Sequence, residues 1–147
     1  MENTKRLDKV WWALRIGLGL GPFLAGLDKF FNVLADWNSY LSPAVEQMLP
    51  MSGPAFMRAV GVVEMLVGLL VLSRWTRLGA YVAMGWLVAI AGNLVTIGMF
   101  DIAVRDIEIA IAAYALARLT EAREEAVPAL EPSRAPGHGT LSITAGA

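Results

Sequence analysis

The chain has 147 residues, enough for one domain; 56% of them are apolar or aromatic, and the mean hydropathy is +0.55. Charged side chains make up only 17%, with a net charge of −1, too little for a solvated disordered chain or for a nucleic-acid binder working by counterion release. The apolar excess over an ordinary soluble domain calls for a second apolar phase, and the bilayer supplies one.

Residues 10–31 form the first long apolar run, with Lys5, Arg6 and Lys9 ahead of it, Arg15 near its start and Asp28 and Lys29 near its end. No small-x-small cleavage site follows a short apolar core, so the run reads as a retained span and not as a signal peptide. Residues 32–53 place Leu34, Trp37, Leu41, Val45, Met48 and Leu49 on a broadly helical pattern broken at Pro43 and Pro50. That pattern suits an interfacial segment lying over the outer end of a bundle.

The second span, residues 55–72, carries Arg58 and Glu64, and a short turn with Arg74 and Arg77 follows it. Residues 78–100 are the clearest span: 23 residues without one ionisable side chain, about 34 Å of helix at 1.5 Å per residue. Residues 102–119 are the weakest, because Arg105, Asp106 and Glu108 crowd the first two turns and Arg118 lies near the end. This segment reads as a helix entering the membrane with a polar end. Trp11, Trp12, Trp37 and Trp75 fall at the boundaries of these runs, where aromatic belts form.

The expected fold is therefore all-α: an integral membrane four-helix bundle over residues 1–122, followed by a flexible cytoplasmic tail over 123–147. Charge placement sets the orientation. With four spans, nine of the 12 basic residues (Lys5, Arg6, Lys9, Arg15, Arg74, Arg77, Arg118, Arg123, Arg134) fall on one side, against Lys29, Arg58 and Arg105 on the other. The positive-inside rule then puts both termini in the cytoplasm and the protein in the inner (cytoplasmic) membrane.

Charges inside a membrane are costly and mark function or pairing. Helical phase puts Arg15, Gly19, Pro22, Gly26 and Lys29 on one face of the first span and Gly61, Glu64 and Gly68 on a stripe of the second. On the third, Gly85, Ala89, Gly92, Asn93 and Thr96 share a face. Small residues and hydrogen-bonding groups mark interior faces of membrane bundles. Glu64 lies near mid-span, and the long Arg15 side chain is its expected partner. Asp28, Lys29, Asn93, Asp101, Arg105, Asp106 and Glu108 gather at the outer end, where Asp101, Arg105 and Glu108 share an arc and can neutralise one another.

Two accounts of these charges follow. In one they are structural ion pairs between helices. In the other Arg15, Asp28, Lys29, Glu64, Asn93, Arg105, Asp106 and Glu108 line a polar cavity opening toward the outer half of the membrane, where a quinone head group or a small anion binds. A quinone site needs a donor (Arg105 or Lys29), an acid that passes protons (Glu64 or Asp28) and apolar walls (Trp86 or Phe23).

The chain has no cysteine and one histidine, His138, in a Pro/Gly-rich stretch. Disulfides, thiol relays, iron–sulfur clusters, Cys-type or three-His zinc and bis-histidine haem are thus outside its own side chains, and His138 reads as a solvated tail residue. GLGLGP (residues 17–22) lacks the register of a nucleotide fingerprint and follows no strand. No metal site and no covalent cofactor are expected; quinone is the cofactor the pattern suits.

The motifs RIGLGLGPFLAGLDKF (residues 15–30), GVVEMLVGLLVLSRWTRLGAYV (61–82) and RDIEIAIAAYALARL (105–119) together resemble the DoxX-like family of small four-helix membrane proteins. The resemblance covers residues 12–120 and rests on Arg15…Gly26-x-x-Lys29, on Gly61-x-x-Glu64-x-x-x-Gly68 and on Arg105-Asp106. It implies a four-helix bundle and, for some members, the small subunit of a thiosulfate:quinone or terminal quinol oxidation system. Others are membrane anchors in assemblies that handle thiol or oxidative stress. Arg15, Lys29, Glu64 and Arg105 stand at family-like positions; cysteine-bearing relatives are no guide to a chain without cysteine.

The expected function is an integral membrane subunit of a respiratory or other redox complex, without its own redox centre and contacting quinone. Its partners would be membrane lipids and other membrane subunits, or further copies of itself. The rival readings are a purely structural accessory subunit and a small-solute carrier. Against the carrier, Pro22 has no counterpart in the third span, whereas inverted-repeat transporters pair their broken helices.

Overall fold

In the computed structural model, residues 2–129 are described, with side chains from residue 5 to residue 126. Every regular element among them is helical: α1 (Glu2–Asp28), a 3-10 turn (Trp37–Tyr40), α2 (Pro43–Met48), α3 (Gly53–Leu72), α4 (Thr76–Thr96) and α5 (Phe100–Ala129). The protein is an all-α membrane helical bundle. α1 packs along α3 and α4 along α5, and the α3–α4 contact joins the two pairs.

Local chemistry sets the boundaries. Pro43 and Pro54 stand in the first turns of α2 and α3, where a missing N–H costs nothing. Two residues past α4 stands Gly98, whose φ of 74° lets the Gly98 and Met99 amides donate to the Val95 and Leu94 carbonyls at 3.2 and 3.0 Å, a glycine-closed helix end. Pro22 sits inside α1 without ending it.

The α1–α3 seam is built on backbone contact. A Cβ on Gly26 would lie 2.4 Å from the Gly61 carbonyl oxygen, and one on Gly68 would lie 2.4 Å from that of Gly19. Gly19 and Gly26 are thus matched, two turns apart and antiparallel, with Gly68 and Gly61. The α4–α5 side relies on alanine: Ala80, Ala83, Ala91, Ala103, Ala110, Ala113 and Ala117 are all buried. Van der Waals contact between closely approaching backbones is what holds helices together where lipid removes the hydrophobic drive.

Among the described residues, three helices are long and apolar enough to cross a membrane: Lys5–Asp28, Gly53–Leu72 and Thr76–Thr96. α5, expected as a fourth span, is not among them, because Asp101, Arg105, Asp106, Glu108, Arg118, Glu121 and Arg123 interrupt its apolar run. It nonetheless runs the length of α4. Ala103 packs with Ala91 and Leu94 at one end; at the other, the Tyr81 hydroxyl donates to Glu121 at 2.9 Å and Arg77 meets Glu124 at 3.0 Å.

Two expectations are corrected. The small-residue face assigned to residues 78–100 is not interior: Gly85, Ala89, Gly92 and Thr96 are exposed, and nothing lies within 4 Å of a Cβ built on Gly85 or Gly92. The buried face is Thr76, Gly79, Ala80, Ala83, Ala91 and Leu94, because α5 supplies alanines that fit it. Likewise the tail does not begin at residue 123: α5 continues to Ala129, held by the Glu121 and Glu124 contacts and by an ion pair between Arg123 and Asp8. His138, Arg134 and the rest of the expected tail lie outside the described residues.

The seam makes a direct prediction. Gly61→Val and Gly68→Val should each lower stability by about 1–3 kcal/mol through overpacking. Gly17→Ala, whose Cβ meets nothing within 4 Å, should leave it unchanged or slightly raised. Thermal unfolding of the detergent-solubilised protein reads the difference.

Candidate functional site

Gly26 and Gly61 bring the last turn of α1 against α3, so the Lys29 Cβ lies 3.1 Å from the position of a Gly61 Cβ. From there the four-carbon stem reaches one turn deeper. Lys29 Nζ meets Glu64 Oε2 at 2.6 Å, the two side chains being 3% and 9% exposed. Glu64 is about 16 Å along α3 from Gly53 at 1.5 Å per residue, at mid-helix. A charge there cannot reach water by stretching and needs its partner.

The expected Arg15–Glu64 pair does not form. Arg15 lies at the opposite end of α3, where its guanidinium donates to the Val71, Leu72 and Ser73 carbonyls at 3.3, 2.5 and 2.7 Å. The last carbonyls of a helix have no intrahelical donor, and a cation there also meets the negative end of the helix dipole. Arg15 therefore ends up as a helix cap. Lys29 is the residue at the right height for Glu64.

The loop closes over the pair. Asp28 takes hydrogen bonds from the Val33 and Leu34 amides at 3.0 and 2.9 Å and from Trp37 Nε1 at 2.7 Å. This folds the chain back so that the Trp37 ring covers Lys29 Nζ, 3.7 Å from the ring centroid, a cation–π contact strengthened by desolvation. The far side of the loop is fastened to α4: Asn93 Nδ2 donates to the Tyr40 carbonyl at 2.7 Å, and its Oδ1 accepts from the Ser42 amide at 3.3 Å.

Asp106 faces the same ion pair from α5, its charge acting on both Lys29 and Glu64. Arg105 reaches Asp106 Oδ1 at 3.4 Å while staying 63% exposed. The expected arc of Asp101, Arg105 and Glu108 is replaced by this neighbour pair, and Asp101 and Glu108 are exposed. The Trp86 indole approaches the Glu64 carboxylate from α4, but its buried Nε1 makes no hydrogen bond of ordinary geometry.

Of the eight residues singled out in the sequence, then, Asp28, Lys29, Glu64 and Asp106 come together, Arg105 stands at the rim and Asn93 fastens the loop. Arg15 and Glu108 lie elsewhere. Trp37 was legible only as an interfacial aromatic; its place over Lys29 follows from Asp28, which binds the amides five and six residues on, at Val33 and Leu34. The equal i,i+3 spacing in Gly26-x-x-Lys29 and Gly61-x-x-Glu64 was the signal that could have paired the two charges.

Breaking the pair from one side strands a buried charge, so Glu64→Gln should destabilise the protein by about 3 kcal/mol. Adding Lys29→Met should recover most of that loss. Arg15→Met should be additive with Glu64→Gln to within about 0.5 kcal/mol, as for independent sites; a denaturation cycle on the four proteins measures the coupling. Asp28→Ala should release the loop, seen as faster proteolysis within residues 32–52.

One family model matches the chain: methylamine utilisation protein MauE, over residues 7–108. No curated protein and no solved structure gives a match. The matched stretch contains α1 from its sixth residue on, the loop, α3, α4 and the first turns of α5, and with them every member of the Lys29–Glu64–Asp106 cluster. The resemblance to DoxX-like proteins holds at the level of a small helical membrane protein, and the chain belongs to the MauE family of methylamine utilisation proteins.

Proposed function

We propose that this chain is an accessory membrane protein of an amine-oxidising redox system, working without a redox centre of its own through a partner subunit that carries one. The observation that carries this reading is the buried Lys29–Glu64 pair with Asp106 beside it. Ionisable groups kept at mid-helix in a membrane protein are functional markers, and this cluster lies wholly within the region matched to a methylamine utilisation family. Oxidative use of methylamine removes electrons from its C–N unit, and in this reading the membrane protein stands beside that redox chemistry. A chain with no cysteine leaves the thiol part of any such chemistry to a partner.

In this reading α5 crosses the membrane as a fourth span. Its antiparallel run along the whole of α4 supports this, as do the apolar side chains Val104, Ile107, Ile111 and Tyr114 on its outward face. Both chain ends then lie on the cytoplasmic side of the inner membrane, in keeping with the distribution of Lys and Arg.

The finer part of the proposal is quinone contact at the loop end, of the kind that the DoxX-like resemblance implies. Lys29 serves as hydrogen-bond donor to a head-group oxygen, Glu64 and Asp106 pass protons, and the buried Trp86 N–H, beside Glu64 but without a hydrogen bond of ordinary geometry, is a second donor. Trp37 covers Lys29, so access requires the loop to shift.

Gentle affinity purification from native membranes tests both parts, with identification of co-purifying subunits, an absorption spectrum and quinone analysis. Recovery with a chromophore-bearing subunit and near-stoichiometric quinone is expected, with the quinone lost in Asp106→Asn while the subunit stays. Recovery of that subunit without quinone in the wild type would leave an accessory role and overturn quinone contact. A colourless homo-oligomer carrying bulk phospholipid would overturn the whole reading, and solute uptake into liposomes by the chain alone would replace it with a carrier.

A further inference from the structure

At the end of the bundle opposite the loop, α1, the α3–α4 turn and α5 enclose a groove of about 230 Å³ lined by Trp11, Arg15, Arg74, Thr76, Thr120, Arg123 and Glu124. Its frame is rigid. Trp11 Nε1 donates to Thr120 Oγ1 at 2.8 Å, and Thr120 in turn donates to the Leu116 carbonyl at 2.8 Å. Two guanidiniums share the Trp11 ring, Arg15 at 4.8 Å and Arg123 at 4.4 Å from its centroid.

Three arginines thus face one groove, and the carboxylates beside them meet only one of the three, Arg123. Glu124 is engaged by Arg77 at 3.0 Å, and Asp8 pairs with Arg123. Arg15 is bonded to backbone carbonyls, which carry no net charge. Arg74 has only the ring of Trp75 beside it, at 5.8 Å. Like charges held together in a half-dry groove repel each other unless an anion joins them.

The position of the groove says which anion. Arg15 is level with the last carbonyls of α3, and Thr76 begins α4, so the groove lies where two membrane-crossing helices end. Trp12 and Trp75 are about half exposed beside it, as side chains of the headgroup layer are. Arginine forks match phosphate oxygens in geometry as well as charge, and basic pockets between membrane helices at this level hold anionic headgroups. We propose that this groove binds the phosphate of an anionic phospholipid headgroup. The site is separate from the loop-end cluster and does not depend on the function assigned to it.

The test uses the full-length protein in detergent with equal amounts of phosphatidylglycerol and phosphatidylcholine, read by intact mass spectrometry of retained lipid, with a parallel arm in inorganic phosphate. Phosphatidylglycerol should be retained in preference. Arg74→Gln removes no hydrogen bond and should cut that preference about fivefold, the usual effect of one arginine near an anionic surface. Glu124→Gln removes the one negative charge lining the groove and should raise it, an increase that mere damage to the fold would not produce. Equal retention of the two lipids, or a preference unmoved by Arg74→Gln, overturns the proposal. Thermal stabilisation by inorganic phosphate without lipid preference overturns it in favour of a free anion.

Discussion

The rest of the structure depends on the distance between α1 and α3. At two levels, Gly19 with Gly68 and Gly26 with Gly61, one backbone touches the other with no room for a Cβ. That approach places the root of Lys29 against α3, and the length of a lysine stem then delivers its ammonium to Glu64. A wider seam would leave two charges facing lipid, which costs several kcal/mol for each. The glycines therefore set the packing and make the buried ion pair possible.

The ion pair in turn organises the loop. Asp28, next to Lys29 in the chain, is satisfied by the Val33 and Leu34 amides and the Trp37 indole, and that fold drops an aromatic ring on the ammonium. Asn93 fastens the other side of the loop to α4. A segment with few buried side chains of its own is thus ordered by two polar anchors on two helices. The cover it forms is held by a few hydrogen bonds, while the bundle beneath is held by continuous packing; an element built that way opens at lower cost than the bundle.

The two ends of the molecule differ in how charge is handled. At the loop end, Lys29, Glu64 and Asp106 are buried, with Lys29 paired to Glu64 and Asp106 to Arg105 beside them. At the other end, Arg15, Arg74 and Arg123 meet carbonyls, ring faces and one carboxylate at the level where helices end. The first arrangement is suited to holding charge out of water and the second to presenting it at a headgroup layer. α4 and α5, locked by alanines between the ends, keep the two regions in fixed relation.

The sequence by itself determined that the chain is helical and membrane-embedded, because apolar run length and the scarcity of charge depend on no tertiary contact. It also determined that the Gly19/Gly26 and Gly61/Gly68 stripes face other helices, since small residues beside charges have few other uses in lipid. Only the tertiary structure decided the partners. Arg15 and Lys29 lie on the same face of the first span, and their fate turned on the vertical offset between α1 and α3, which the periodicity of neither helix taken alone encodes. The inward face of α4 was decided the same way: Gly85, Ala89 and Gly92 form as good a small-residue stripe as Gly79, Ala80 and Ala83, and the shape of α5 selected the second. The polar end of α5 read as tail because its charges look solvated in isolation; Asp8, Arg77 and Tyr81, far away in the chain, give them partners and carry the helix on to Ala129.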